Sequence, residues 1–116
     1  MDRSMMQFGL WSFAISIILG AFGAHAIEAM VSPDRLGVWE TAVRYQAWTS
    51  LLLIGLGASR FSVSPRTLPL LAMGIMIFSG SLYLLVFMDM SFFGAITPLG
   101  GLLIIGGIVL AAITLT

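Results

Sequence analysis

A chain of 116 residues has room for one domain, but at 59% hydrophobic and 9% charged it lacks the polar residues to clothe a water-exposed surface, so its solvent must be mostly lipid. Net charge is zero, which points to neither nucleic acid nor an anionic membrane surface as an electrostatic partner. The absence of cysteine excludes disulfides, thiolate catalysis and thiolate metal sites.

The charges come from Arg, Asp and Glu alone and leave four uncharged stretches: Ser4 to Ile27, Tyr45 to Ser59, Thr67 to Met88 and Met90 to Thr116. Crossing a hydrocarbon core takes roughly 20 apolar residues as a helix. The first, third and fourth stretches qualify outright, and the second must borrow residues from its amino-terminal side. A transmembrane barrel is the other backbone solution in lipid, but its strands alternate apolar and polar residues. Runs such as Leu68-Pro69-Leu70-Leu71-Ala72-Met73 do not alternate. The expected class is therefore all-α, an integral membrane four-helix bundle of up-down topology. It is one transmembrane domain over residues 1–116, with helices at about 6–29, 33–58, 67–88 and 97–115.

In helix one, Arg3, an apolar run and Ala24-His25-Ala26 mimic a cleavable signal peptide, but the segment reads as a retained helix. Ser12, Ser16, Gly20 and Ala24 recur every fourth position and form a small-residue stripe expected to face a neighbouring helix. Ser32-Pro33-Asp34 then reads as an N-cap, a proline in the first turn and an acid near the positive end of the dipole, so helix two starts well before its apolar part. Within it, Glu40 and Arg44 have the spacing of an i,i+4 ion pair, and Trp39 and Trp48 suit the membrane interface.

Arg60 to Thr67 forms a polar turn broken at Ser64-Pro65, and helix three follows with Phe78-Ser79-Gly80-Ser81-Leu82-Tyr83. Ser79 and Ser81 are expected to bond back to their own helix or across to a neighbour. Thr97-Pro98 repeats the cap-and-proline signal for helix four. Its Gly100-Gly101 and Gly106-Gly107 pairs, together with Gly80 on helix three, read as close helix packing, because each Gly would cost about 1 kcal/mol against Ala in a soluble helix. Counting Arg near helix ends sets Arg3, Arg60 and Arg66 on one side against Arg35 and, in part, Arg44 on the other, which favours both termini in the cytoplasm.

That topology gathers His25, Glu28, Arg44, Tyr45, Gln46, Tyr83 and Thr97 toward one end as a candidate polar cluster. An ordinary wet interface would account for them, since buried or interfacial polar atoms need partners whatever the function. His25 and Glu28, three residues apart on one face, could instead move protons. A single histidine makes a weak metal signal, no serine-hydrolase pattern surrounds Ser79 or Ser81, and the dispersed methionines suit packing. No catalytic, cofactor or metal residue is assigned.

Four segments, Leu19-Gly20-Ala21-Phe22-Gly23-Ala24-His25-Ala26, Glu40-Thr41-Ala42-Val43-Arg44-Tyr45-Gln46, Phe78-Ser79-Gly80-Ser81-Leu82-Tyr83 and Gly94-Ala95-Ile96-Thr97-Pro98-Leu99-Gly100-Gly101, resemble the YgdD/YwdK-like family of small inner-membrane proteins, a domain of unknown function. The resemblance spans nearly the whole chain and implies a four-helix bacterial inner-membrane protein without transferring an activity. Members of that family often carry a histidine shortly after the Tyr-Gln pair, where this chain has Thr49. A two-histidine relay is therefore not available here.

Two functions compete. One is a non-enzymatic accessory or stabilising subunit of a larger membrane complex, partnered by other membrane subunits or by copies of itself. The other is binding or passage of a small solute, lipid or quinone-like molecule at the loop-rich end, where clefts between helices are common ligand sites.

Overall fold

Four helices make up the chain, which a computed structural model describes over residues 2–116. They are α1 (Arg3–Met30), α2 (Pro33–Ala58), α3 (Thr67–Met88) and α4 (Thr97–Thr114), the last entered through a 3-10 turn at Ser91–Ala95. No strand occurs among the described residues. α1, α3 and the segment Ser91–Thr114 are each long and apolar enough to cross a membrane. α2 is longer than any single crossing needs, 26 residues or about 39 Å at 1.5 Å per residue, but Arg44, Gln46, Thr49 and Ser50 interrupt its apolar character. Of these, Gln46, Thr49 and Ser50 are buried inside the protein.

The helix ends follow from local chemistry. Asp2 accepts a hydrogen bond from the Met5 N–H at 3.1 Å, so α1 starts at Arg3 and not near Met6. Ser32, in extended conformation, accepts from the Arg35 N–H at 3.3 Å, with Pro33 opening α2. α3 ends where Asp89 adopts the left-handed conformation (φ 51°), which Asp tolerates better than most residues. Thr97 does not cap α4, although Thr97-Pro98 resembles a start signal. The preceding 3-10 turn delivers Ile96 in right-handed helical conformation, so no extended residue remains to act as a cap.

Each helix packs on its neighbour in sequence: α1 on α2, α2 on α3, α3 on α4. The contacts run antiparallel. The Asp2 N–H donates to the Gly57 carbonyl at 2.8 Å, tying the start of α1 to the end of α2, while Arg35 near the start of α2 meets Asp89 at the end of α3. Ser62 and Thr116 exchange two backbone hydrogen bonds, so the α2–α3 turn holds the end of the chain.

The face of α2 turned toward its neighbours reads Trp39, Ala42, Gln46, Ser50, Leu53 and Gly57, at spacings of three and four. It is layered along its length. An apolar cluster of Ile27, Trp39, Leu85 and Val86 lies at one end, a second of Met5, Leu53, Leu71, Ile75 and Ile104 at the other, and the polar residues lie between.

The small-residue stripe of α1 holds for Ser12 and Ser16, both buried, and for Gly20, where an added Cβ would lie 3.2 Å from Val43. Ala24 is exposed, and Gly23 takes its place. Steps of four on a helix of 3.6 residues per turn rotate by about 40° each, so a strict stripe drifts off the interface. The step of three from Gly20 to Gly23 corrects the drift, and the π-helical turn Gly23–Ile27 then keeps Ile27 buried one turn on. On the other helices, Gly100 lies against the Phe78 backbone and Gly101 more loosely against the Phe78 ring at 3.6 Å. An added Cβ at Gly80 would meet nothing within 4 Å beyond its own helix, so Gly80 opens onto a groove instead of a helix.

Candidate functional site

The polar centre of the protein is built from three helices. Gln46 of α2 donates from Nε2 to the Ser12 carbonyl of α1 at 2.9 Å and accepts at Oε1 from the Tyr83 hydroxyl of α3 at 2.7 Å. Ser50 Oγ lies 2.6 Å from the Gln46 carbonyl and 2.8 Å from Ser12 Oγ. It has one proton, so donation to the carbonyl leaves the Ser12–Ser50 contact to the Ser12 hydroxyl. Nearby, Ser79 of α3 donates to the Ala42 carbonyl at 2.7 Å. Every side chain in this network has a partner, as buried polar groups require in lipid.

Trp39 lies one to two turns along the same face of α2. Only 1% exposed, it is a core residue and not an interfacial anchor, while Trp48 is exposed. Its indole N–H donates to the Leu19 carbonyl at 2.9 Å, and its ring packs on Tyr83 at 4.8 Å, with Phe87 at 6.0 Å and Phe22 at 6.4 Å. Gly23 makes room for it, since an added Cβ there would fall 2.6 Å from Trp39 Cδ1.

Of the expected polar cluster, the structure brings together Gln46 and Tyr83 and leaves the others apart. His25, Glu28 and Arg44 are exposed, and neither His25 nor Glu28 has a side-chain hydrogen bond or ion pair among the described residues. Arg44 reaches Thr41 at 3.4 Å instead of Glu40, so the i,i+4 ion pair does not form. Tyr45 packs edge-on against Phe78 and Trp48, at 4.8 and 5.2 Å. Thr97 bonds to Ser81 at 2.6 Å and to the Phe93 carbonyl at 3.3 Å.

Register explains the dispersal. Ser12 faces Gln46 and Leu19 faces Trp39, so His25 falls level with the first turn of α2, roughly 20 Å along the axis from Gln46. Thr97 is separated from α1 and α2 by α3, because α4 packs chiefly on α3 among the long helices. Ser12 and Ser50 complete the network. Ser12 is legible in the sequence only as a small packing residue, and Ser50 carries no signal beyond its spacing of four from Gln46.

Two recesses flank Trp39 along the seam between α1 and α3. The larger, ≈ 480 Å³, is almost wholly apolar and is lined by Trp11, Ile15, Leu19, Met76, Gly80 and Tyr83 among others, with Ser12, Gln46 and Ser79 at its floor. The smaller, ≈ 370 Å³, lies at the end of the seam between Ile27, Met30, Val86, Phe87, Arg35 and Asp89. There Arg35 Nη2 contacts Asp89 Oδ1 at 3.0 Å and Ser91 Oγ at 3.3 Å, the one ion pair among the described residues.

A family model described as protein of unknown function (DUF423) matches residues 19–101. A UPF0382 membrane protein of Staphylococcus epidermidis is 41% identical over 111 residues, covering 92% of this chain and 91% of its own length. The UPF0382 membrane protein YwdK of Bacillus subtilis is 40% identical over 75% of each chain, and the UPF0382 inner membrane protein YgdD of Escherichia coli is 34% identical over 91% of this chain and 84% of its own length. No solved structure matches. The chain belongs to the DUF423 family, known among its relatives as UPF0382, a family of membrane proteins of unknown function.

Proposed function

We propose that this protein is a four-crossing, up-down bundle of the bacterial inner membrane with both termini in the cytoplasm, and that it works without catalysis by holding a membrane-resident amphipathic molecule in the groove between α1 and α3. The antiparallel contacts and the length of α2 support the four crossings; the excess of Arg3, Arg60 and Arg66 supports the orientation. The observation that carries the function is the groove itself. α2 holds α1 and α3 apart, leaving ≈ 480 Å³ of apolar space open sideways over a floor of polar groups that already satisfy one another. Such a floor costs nothing to cover with an apolar chain, while Tyr83 Oη keeps lone pairs for a donor. No nucleophile in the groove is paired with a base, which favours binding over reaction.

Gly80→Leu tests this, because an added Cβ there meets nothing within 4 Å and Gly80 lines the groove, so the larger side chain would grow into it. Extraction in native lipid followed by mass spectrometry should find a bound molecule on the wild type and little on the variant, with helical content unchanged. Equal occupancy of the two would overturn the reading. Gly80 also supports a second one, in which the groove receives a helix of a larger membrane complex and the chain is its accessory subunit, since bare backbone permits close helix approach. Size analysis at native expression separates them: a larger assembly that Gly80→Leu dissolves favours the subunit.

A further inference from the structure

Arg35 and Asp89 form an ion pair that uses only part of either group. Both contacts of the guanidinium, to Asp89 and to Ser91, are made by Nη2. Nε and Nη1 are without partners among the described residues, as is Asp89 Oδ2, and the Asp89 side chain is 81% exposed. The pair thus offers a donor edge for an anion beside an acceptor for a cation, at the mouth of a ≈ 370 Å³ recess walled by Ile27, Met30, Val86 and Phe87. This recess and the larger groove lie on one seam. Arg35, Trp39 and Gln46 share one face of α2, Leu19 and Ile27 one face of α1, and Tyr83 and Phe87 one face of α3. Between the recesses, Trp39 fills the floor and the exposed rings of Phe22 and Phe87 form the sill.

Resting on the groove reading above, we infer that the seam is a phospholipid site whose headgroup end selects a zwitterion carrying a primary ammonium beside its phosphate, as in phosphatidylethanolamine. The phosphate takes the open edge of Arg35, the ammonium donates to Asp89, and one acyl chain runs past the Phe22–Phe87 sill into the groove over Gln46 and Tyr83. Charge favours this occupant. A lone Arg35 would prefer an anionic headgroup, but Asp89 at 3.0 Å cancels that preference and repels a second negative charge. Length agrees too. From Ile27 to Ile15 along α1 is about 18 Å, close to the roughly 15 Å depth of one leaflet of a 30 Å hydrocarbon core.

The test uses delipidated protein in detergent, reloaded with phosphatidylethanolamine or phosphatidylglycerol and read by native mass spectrometry. Wild type should retain phosphatidylethanolamine preferentially, and Arg35→Gln should weaken that retention about tenfold, the scale of one charge-assisted hydrogen bond. Asp89→Asn, which keeps both the shape and the tolerance of left-handed backbone, should reverse the preference toward phosphatidylglycerol by leaving Arg35 uncompensated. This second variant decides the matter if Arg35→Gln fails to fold. Equal retention of the two lipids by wild type, or an unchanged preference in Asp89→Asn, overturns the headgroup assignment while leaving the groove standing. If wild type retains neither lipid, or Gly80→Leu retains as much as wild type, the groove reading falls with it.

Discussion

α1 meets α2 through hydroxyls, an amide and an indole, whereas α4 meets α3 through glycines. On the first interface Ser12, Gln46, Ser50 and the Trp39–Leu19 contact form directional bonds between helices. On the second, Gly74 faces Ile104, Gly100 faces the Phe78 backbone and Gly107 faces Leu71, with Ser81–Thr97 the hydrogen bond between the two helices. Lipid removes the hydrophobic drive for helices to associate, leaving close packing and interhelical hydrogen bonds to hold them. The two interfaces divide those means between them. Packing holds α4 on a face that tolerates no added atom, and hydrogen bonds fix the register of α1, where a slip would strand several buried polar groups.

Substitutions that add volume should therefore hurt the glycine interface most. At Gly100 an added Cβ collides with the main chain of Phe78, and a backbone cannot rotate aside as a side chain can. Gly100→Val should cost about 3 kcal/mol or more, at the upper end of overpacking penalties, measured as unfolding free energy in mixed micelles. A loss below that of Gly101→Val, where the nearest atom is ring carbon at 3.6 Å, would show that α4 is not held by close approach.

Gly23→Ala should come next, at about 2 kcal/mol. Its Cβ would meet the indole of Trp39, which is pinned by its bond to Leu19 and hemmed in by Tyr83. The two ways for Trp39 to yield are separable by fluorescence. A red-shifted emission would mean that the ring moves out, and unchanged emission with lower stability would mean that α1 moves away.

On the polar interface the expected effect is coupling more than bulk. Gln46→Leu and Tyr83→Phe, combined in a double-mutant cycle, should show an interaction of about 0.6 to 1.7 kcal/mol, the range for hydrogen bonds between membrane helices. Zero coupling would mean that the 2.7 Å contact between them contributes nothing and that Ser79 is left as the buried hydrogen bond from α3 to α2.

How far the sequence foretold this depends on the reach of each signal. Ser32-Pro33 marks the start of α2 because capping is decided within three residues. The small-residue stripe marks the interface of α1 as far as Gly20, and fails at Ala24 because the register correction through Gly23 and the π turn is a response to Trp39 on another helix. The polar cluster was legible as a list of residue types but not as a geometry. Which of Gln46, His25 and Thr97 share a level depends on the antiparallel offset between helices and on the order in which they pack, and neither is written in any one segment. Thr97-Pro98 misleads for a similar reason, since the 3-10 turn before it removes the extended residue a cap needs.

The smallest expected effect is also the one that separates two threonines of similar local sequence. Thr67 and Thr97 each open a helix, α3 and α4. The Thr97 hydroxyl is shared with Ser81 at 2.6 Å and the Phe93 carbonyl, so Thr97→Val removes a bond between helices and should cost about 0.6 kcal/mol or somewhat more. Thr67 is fully buried, and its hydroxyl has no partner among the described residues. Its desolvation is therefore uncompensated, and the isosteric Thr67→Val relieves that penalty without changing shape, which should stabilise the protein by about 1 kcal/mol. Thermal midpoints of the two variants in the same detergent should move in opposite directions. A fall for Thr67→Val as large as that for Thr97→Val would mean that the Thr67 hydroxyl is bonded after all, and that the start of α3 is held by a polar contact as the start of α4 is at the opposite end.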